Sequence, residues 1–131
     1  MKIINTILKV ILSLMLIMPI FGTLGIFPEP TADMYTSATS YEFIKILMES
    51  QYVMVMMSVV FLISLICLWT KRVALASLLI LPITLNIVGF HAFLDGGLLT
   101  GGAVMGNVLL LINLYFLWLN RAQISQLWKK A

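Results

Sequence analysis

The sequence predicts an all-α membrane protein, a bundle of four transmembrane helices with a short amphipathic helix in the first outer loop. Composition is the first observation. The 131 residues are 62% hydrophobic and 10% charged, whereas a water-soluble domain carries roughly 25% charged residues. Mean hydropathy is +1.10. The second observation is position. The charges gather at a few boundaries and leave four uncharged runs, Val10 to Pro28, Ser50 to Thr70, Val73 to Leu94 and Gly96 to Asn120. A helix needs about 20 apolar residues to cross the hydrocarbon of a bilayer. The third is the absence of the alternation that marks a membrane β-barrel strand. Within lipid a run must satisfy its own backbone hydrogen bonds, and a helix does so. A single domain of 131 residues follows, with helices expected over residues 4–27, 51–69, 73–94 and 103–120.

The first helix begins with Lys2 and Lys9 and could be mistaken for a signal peptide. Its apolar run is long for one, and the stretch from Gly22 to Gly25 is a poor cleavage pattern, so it is read as a retained span. Pro19 within it removes a hydrogen bond to the carbonyl of Met15. Gly22 and Gly25 would let a partner helix approach closely. The segment from Pro28 to Ser50 is too polar to span. Thr39 and Glu42 have capping-box spacing, and Phe43, Ile44, Leu47 and Met48 follow at helical spacing. They predict an amphipathic helix over residues 40–49, either a shield for the end of the bundle or a lid over a cavity there.

Tyr52 and Trp69 bracket the second span as interfacial aromatics do. Thr70, Lys71 and Arg72 make a tight turn into the third. After it come Asp95 and four glycines within seven residues, a turn rather than a phosphate loop, since the loop's lysine is missing. The fourth span ends near Trp118. Ile124, Leu127 and Trp128, with Lys129 and Lys130, read as an interfacial extension on an anionic leaflet. Seven of the eight basic residues, all but Lys45, then fall on one side. The positive-inside rule makes that side, and both termini, cytoplasmic. This distribution explains the net charge of +3 without a nucleic-acid partner.

The third span holds the densest polar information. Pro82, Asn86, Phe90 and Phe93 share one face, and Thr84, Val88, His91 and Asp95 share another. Asn86 either stitches helices together or donates to a carbonyl-bearing ligand such as a quinone. His91, the single histidine, stands one turn before Asp95, which can fix the imidazole tautomer for a proton relay. The plainer reading is a histidine stabilised at a helix C-terminus. On the fourth span, Asn113 lies deep enough to need a partner. One histidine cannot supply two axial haem ligands. One cysteine, Cys67, forms neither an internal disulfide nor a dithiol relay, and no zinc spacing is present. Met54, Met56 and Met57 fit packing better than metal binding.

Pro82, Asn86, Phe90, His91, Phe93 and Leu94, in the order P-x-x-x-N-x-x-x-F-H-x-F-L, resemble the DoxX-like family of bacterial membrane proteins. Arg72, Phe21 with Gly22, and the proline-rich segment from Phe27 to Tyr52 extend the resemblance over most of the chain. One departure stands out. Relatives often carry V-V-E-x-x-G-G in the second span, where this chain reads Val59, Val60, Phe61, Ser64 and Leu65. The resemblance implies a four-helix bundle in the bacterial cytoplasmic membrane. It further implies an accessory subunit near quinone-linked redox chemistry, with Asn86 and His91 as candidate quinone contacts and a redox enzyme as partner. A scaffold for a partner enzyme and a small homo-oligomeric transporter are the alternatives.

Overall fold

The structure, a computed structural model, describes residues 1–129. Lys130 of the basic tail lies outside the described residues. The chain forms α1 (Lys2–Thr23), a 3₁₀ turn (Ala32–Met34), α2 (Ala38–Ser50), α3 (Tyr52–Trp69), α4 (Val73–Phe93), α5 (Ala103–Leu119) and α6 (Arg121–Gln126). Among the described residues there is no strand. Three helices, α1, α3 and α4, are long and apolar enough to cross a membrane. Over their most apolar stretches the mean hydropathy is 2.2, 2.5 and 2.2. The fourth apolar helix, α5, has 17 residues.

α1 stops at Thr23, four residues short of the expected Phe27, and the cause is local. Gly25 takes a φ of +73°, and the Ile26 N–H donates to the Phe21 carbonyl at 3.2 Å. This is the left-handed glycine cap that ends many helices. Pro19 sits inside α1, and the Thr23 hydroxyl donates to the Pro19 carbonyl at 3.0 Å. That hydroxyl also shares a hydrogen bond with Ser58 of α3 at 2.8 Å. Midway along α1, the indole of Trp69 at the end of α3 donates to the Ser13 hydroxyl at 2.9 Å. The two pairs fix α1 and α3 as antiparallel neighbours.

α3 and α4 are joined by a corner in which Lys71 has a φ of +64°. The Arg72 N–H donates back to the Cys67 carbonyl at 2.9 Å, closing the last turn of α3 as the Gly25 cap closes α1. α5 packs on α4, and the Tyr115 hydroxyl donates to Asn5 of α1 at 2.7 Å, which closes the ring of four helices. The core is Leu12 and Leu16 of α1, Phe61, Cys67 and Leu68 of α3, Ala76 and Ile80 of α4, and Leu109, Ile112 and Phe116 of α5. Outside it the surface is apolar too. Leu14, Met18, Leu62, Ile66, Leu85 and Leu111 all face outward. That arrangement suits lipid, where burial of apolar area does not drive helix association and close packing does. The fold is therefore that of a membrane-embedded helical protein.

α2 begins at Ala38 and is capped by Ser37 rather than Thr39. The Ser37 hydroxyl accepts from the Ser40 N–H at 3.1 Å, and the Ser37 N–H donates to the Ser40 hydroxyl at 3.3 Å. Ile44, Leu47 and Met48 are half-buried, while Phe43 is more exposed. The charged residues divide between the two ends of the bundle. The end bearing α2 also carries Glu29, Asp33 and Asp95, and is the acidic end.

Candidate functional site

Asp95 follows the end of α4 and is only 3% exposed. Its Oδ1 accepts from the Thr36 N–H at 2.8 Å, the Thr36 hydroxyl at 3.0 Å and the Ser40 hydroxyl at 3.1 Å. Its Oδ2 lies 3.1 Å from His91 Nδ1. Burial pushes its pKa up, but the donors from Thr36, Ser40 and His91 outweigh burial and hold it below the ordinary aspartate value. Four donors on one buried carboxylate make a dock. Through them the segment that carries α2 is tied to the end of α4. The Ser37 hydroxyl adds a bond to the Leu94 carbonyl at 2.9 Å.

The spacing of His91 and Asp95 was readable in the sequence. Thr36 and Ser40 were not singled out there, although they supply most of the bonds. They stand 59 and 55 residues away from Asp95. The one available signal was the run of hydroxyl residues from Thr36 to Ser40 in a segment too polar to span.

Asn86 lies on the other face of α4 from His91. It lines a shallow groove of about 410 Å³ with Gly89, Phe90, Phe93 and Leu94, which Phe43 of α2 completes. Phe43 stacks on Phe90, with centroids 5.8 Å apart and planes inclined by 23°. Tyr35 meets the same ring edge-on at 6.3 Å. The outer wall is Phe93, which is 88% exposed. The Asn86 side chain makes no hydrogen bond among the described residues, though it is placed well inside an apolar helix. At Gly89 a Cβ would meet nothing within 4 Å. Chemically, the groove offers one amide donor and acceptor beside two phenyl faces.

His91 faces α5 instead. A Cβ at Gly102 would lie 3.4 Å from its Cε1, and one at Gly106 would lie 3.8 Å from its Cδ2. It touches the groove through Phe90, whose ring stands edge-on to the imidazole at 5.1 Å. The structure thus puts Asn86 and His91 on opposite sides of Phe90. Asn113 is fully buried, and neither atom of its amide has a hydrogen-bond partner among the described residues. Phe61 is fully buried in the core. Among the described residues no three His, Cys, Asp or Glu side chains gather as a metal site would need.

Fold and site together define the class, an α-helical membrane protein with a docked segment at its acidic end and an aromatic groove on the outside of the bundle. Comparison with protein-family models, curated proteins and solved structures finds no match to the chain.

Proposed function

We propose that the chain is a DoxX-like accessory subunit of the bacterial cytoplasmic membrane, presenting a quinone-class ring to a partner redox enzyme. Asn86 is the observation that carries this reading. An amide inside an apolar helix, facing away from its own bundle, needs a partner from outside the chain, because an unmet polar group in hydrocarbon is costly. A quinone travels within the bilayer, is planar, and carries carbonyls. In the groove the Asn86 Nδ2–H would donate to one carbonyl while the ring lies against Phe90 and Phe93. His91 and Asp95 would act from behind, by holding Phe90 and α2 in place. In the same reading α5 is a fourth span and both termini are cytoplasmic, supported by the seven basic residues on one side.

The test is thermal unfolding of the purified protein in mild detergent, with and without a short-chain benzoquinone. At about a hundredfold excess over Kd the midpoint is expected to rise by several degrees, on the order of 5 °C or more. Asn86→Leu is expected to abolish the rise. No rise in the wild type, or an equal rise in Asn86→Leu, defeats the reading. Asn86 also favours a second reading. An amide is self-complementary, so two copies can pair Asn86 to Asn86 with Gly89 at the contact. Crosslinked dimers that vanish in Asn86→Leu, without any quinone effect, select that one.

A further inference from the structure

We infer that the cleft between α1, α2 and α3 binds the headgroup of a phospholipid bearing a primary ammonium group. The cleft has a volume of about 370 Å³. Its apolar walls are Phe27, Met48 and Met54, and its charged rim is Glu29, Lys45 and Glu49. It is distinct from the Asn86 groove, shares no lining residue with it, and does not rest on the quinone reading.

Depth is the first argument. Thr23 ends α1, Gln51 is the residue that caps α3, and both line the cleft. It therefore sits where apolar helices give way to polar chain, the level of lipid headgroups. Gly22 is the second argument. It lies within α1, where glycine is less favourable than alanine by roughly 0.5–1 kcal/mol. No close helix requires it, because a Cβ there would meet nothing within 4 Å. The bare backbone leaves room in the cleft wall for something that is not part of the chain.

The rim states the chemistry. Two carboxylates face one ammonium group. Lys45 and Glu49 approach to 3.8 Å, but their side chains are 56% and 66% exposed, and such a pair is held weakly and can rearrange. Glu29 makes no ion pair or hydrogen bond among the described residues. An ethanolamine phospholipid brings a cation with three N–H donors and a phosphate a few bonds away. The ammonium would bind Glu29 and Glu49, the phosphate would bind Lys45, and the upper acyl chain would lie on Phe27, Met48 and Met54. A choline headgroup has no N–H to donate, and a glycerol headgroup has no cation.

The experiment uses the full chain, delipidated in mild detergent, with short-chain ethanolamine, choline and glycerol phospholipids titrated separately against the unfolding midpoint. The ethanolamine lipid is expected to raise the midpoint at the lowest concentration. The variant carrying both Glu29→Gln and Glu49→Gln is expected to need about tenfold more of it, because its two amide oxygens still accept from the ammonium but without the charge. Gly22→Leu fills the wall and is expected to abolish the effect. The two glutamates are exposed, so the double variant tests the site whether or not Gly22→Leu folds. Equal response to all three headgroups, or an unchanged response in the double variant, overturns the inference.

Discussion

At the scale of single residues, Asp95 governs the acidic end. Truncating it in Asp95→Ala leaves the Thr36 N–H, the Thr36 hydroxyl and His91 Nδ1 without their acceptor, while the Ser40 hydroxyl keeps the Ser37 carbonyl at 2.8 Å. Hydrogen bonds to a charged group contribute about 1.5–3 kcal/mol, and a buried donor left unmet costs about 1–3 kcal/mol. The variant is expected to lose about 3 kcal/mol of stability, and limited proteolysis is expected to cut the α1–α3 connection first. The pH dependence has a definite sign. The folded-state pKa of Asp95 is lowered, so its contribution is complete above the unfolded value of about 3.9. It disappears as pH falls through the lower folded value. Protease resistance of the connection is therefore expected to hold from pH 7 to pH 5 and to fail only below about 4. The His91–Asp95 half of this cluster was legible because helical spacing is local. Thr36 and Ser40 were not, because nothing local to a hydroxyl says which carboxylate, dozens of residues away, it will meet.

At the scale of elements, the apolar helices were legible and their ends less so. Composition and run length place a helix within a few residues, but caps settle where it stops. Gly25 ends α1 early, and Ser37 displaces Thr39 as the cap of α2, because the Ser37 hydroxyl also reaches the Leu94 carbonyl. A tertiary bond decided between two acceptable caps. The α4–α5 contact holds a more exacting feature. A Cβ on Gly106 would stand 3.0 Å from Cγ2 of Ile87, and a methyl fixed to a branched carbon has little freedom to yield. Gly106→Val is expected to push the two helices apart and cost about 1–3 kcal/mol, as overpacking does. Gly101→Val is the control, since a Cβ there meets nothing within 4 Å. Unfolding of both variants in mixed detergent micelles would show the difference, and equal stability would mean that α4 and α5 can slide to make room.

At the scale of the whole molecule, the open question is physical length. With 17 residues, α5 is about 26 Å long at 1.5 Å per residue, somewhat less than the roughly 30 Å hydrocarbon thickness. The shortfall can be met at its basic end. Arg121 donates to the Trp118 carbonyl at 2.9 Å, and its guanidinium lies 4.6 Å from the centre of the Trp118 ring. An arginine held on an interfacial tryptophan is the pair expected where a short helix meets headgroups. α6 then begins at once and leaves Leu127 and Trp128 exposed, as an interfacial segment would. If α5 crosses, the Lys71 corner and α6 share a face of the membrane, and the α1–α3 connection lies on the opposite one. The native thiol, Cys67, is buried and can be replaced by alanine before single cysteines are introduced at Thr31, Lys71 and Gln123. In intact cells an impermeant maleimide is expected to label the Thr31→Cys protein alone, and permeabilisation is expected to expose the other two. Labelling of Gln123→Cys together with Thr31→Cys in intact cells would mean three spans, and labelling of Lys71→Cys and Gln123→Cys without Thr31→Cys would invert the bundle.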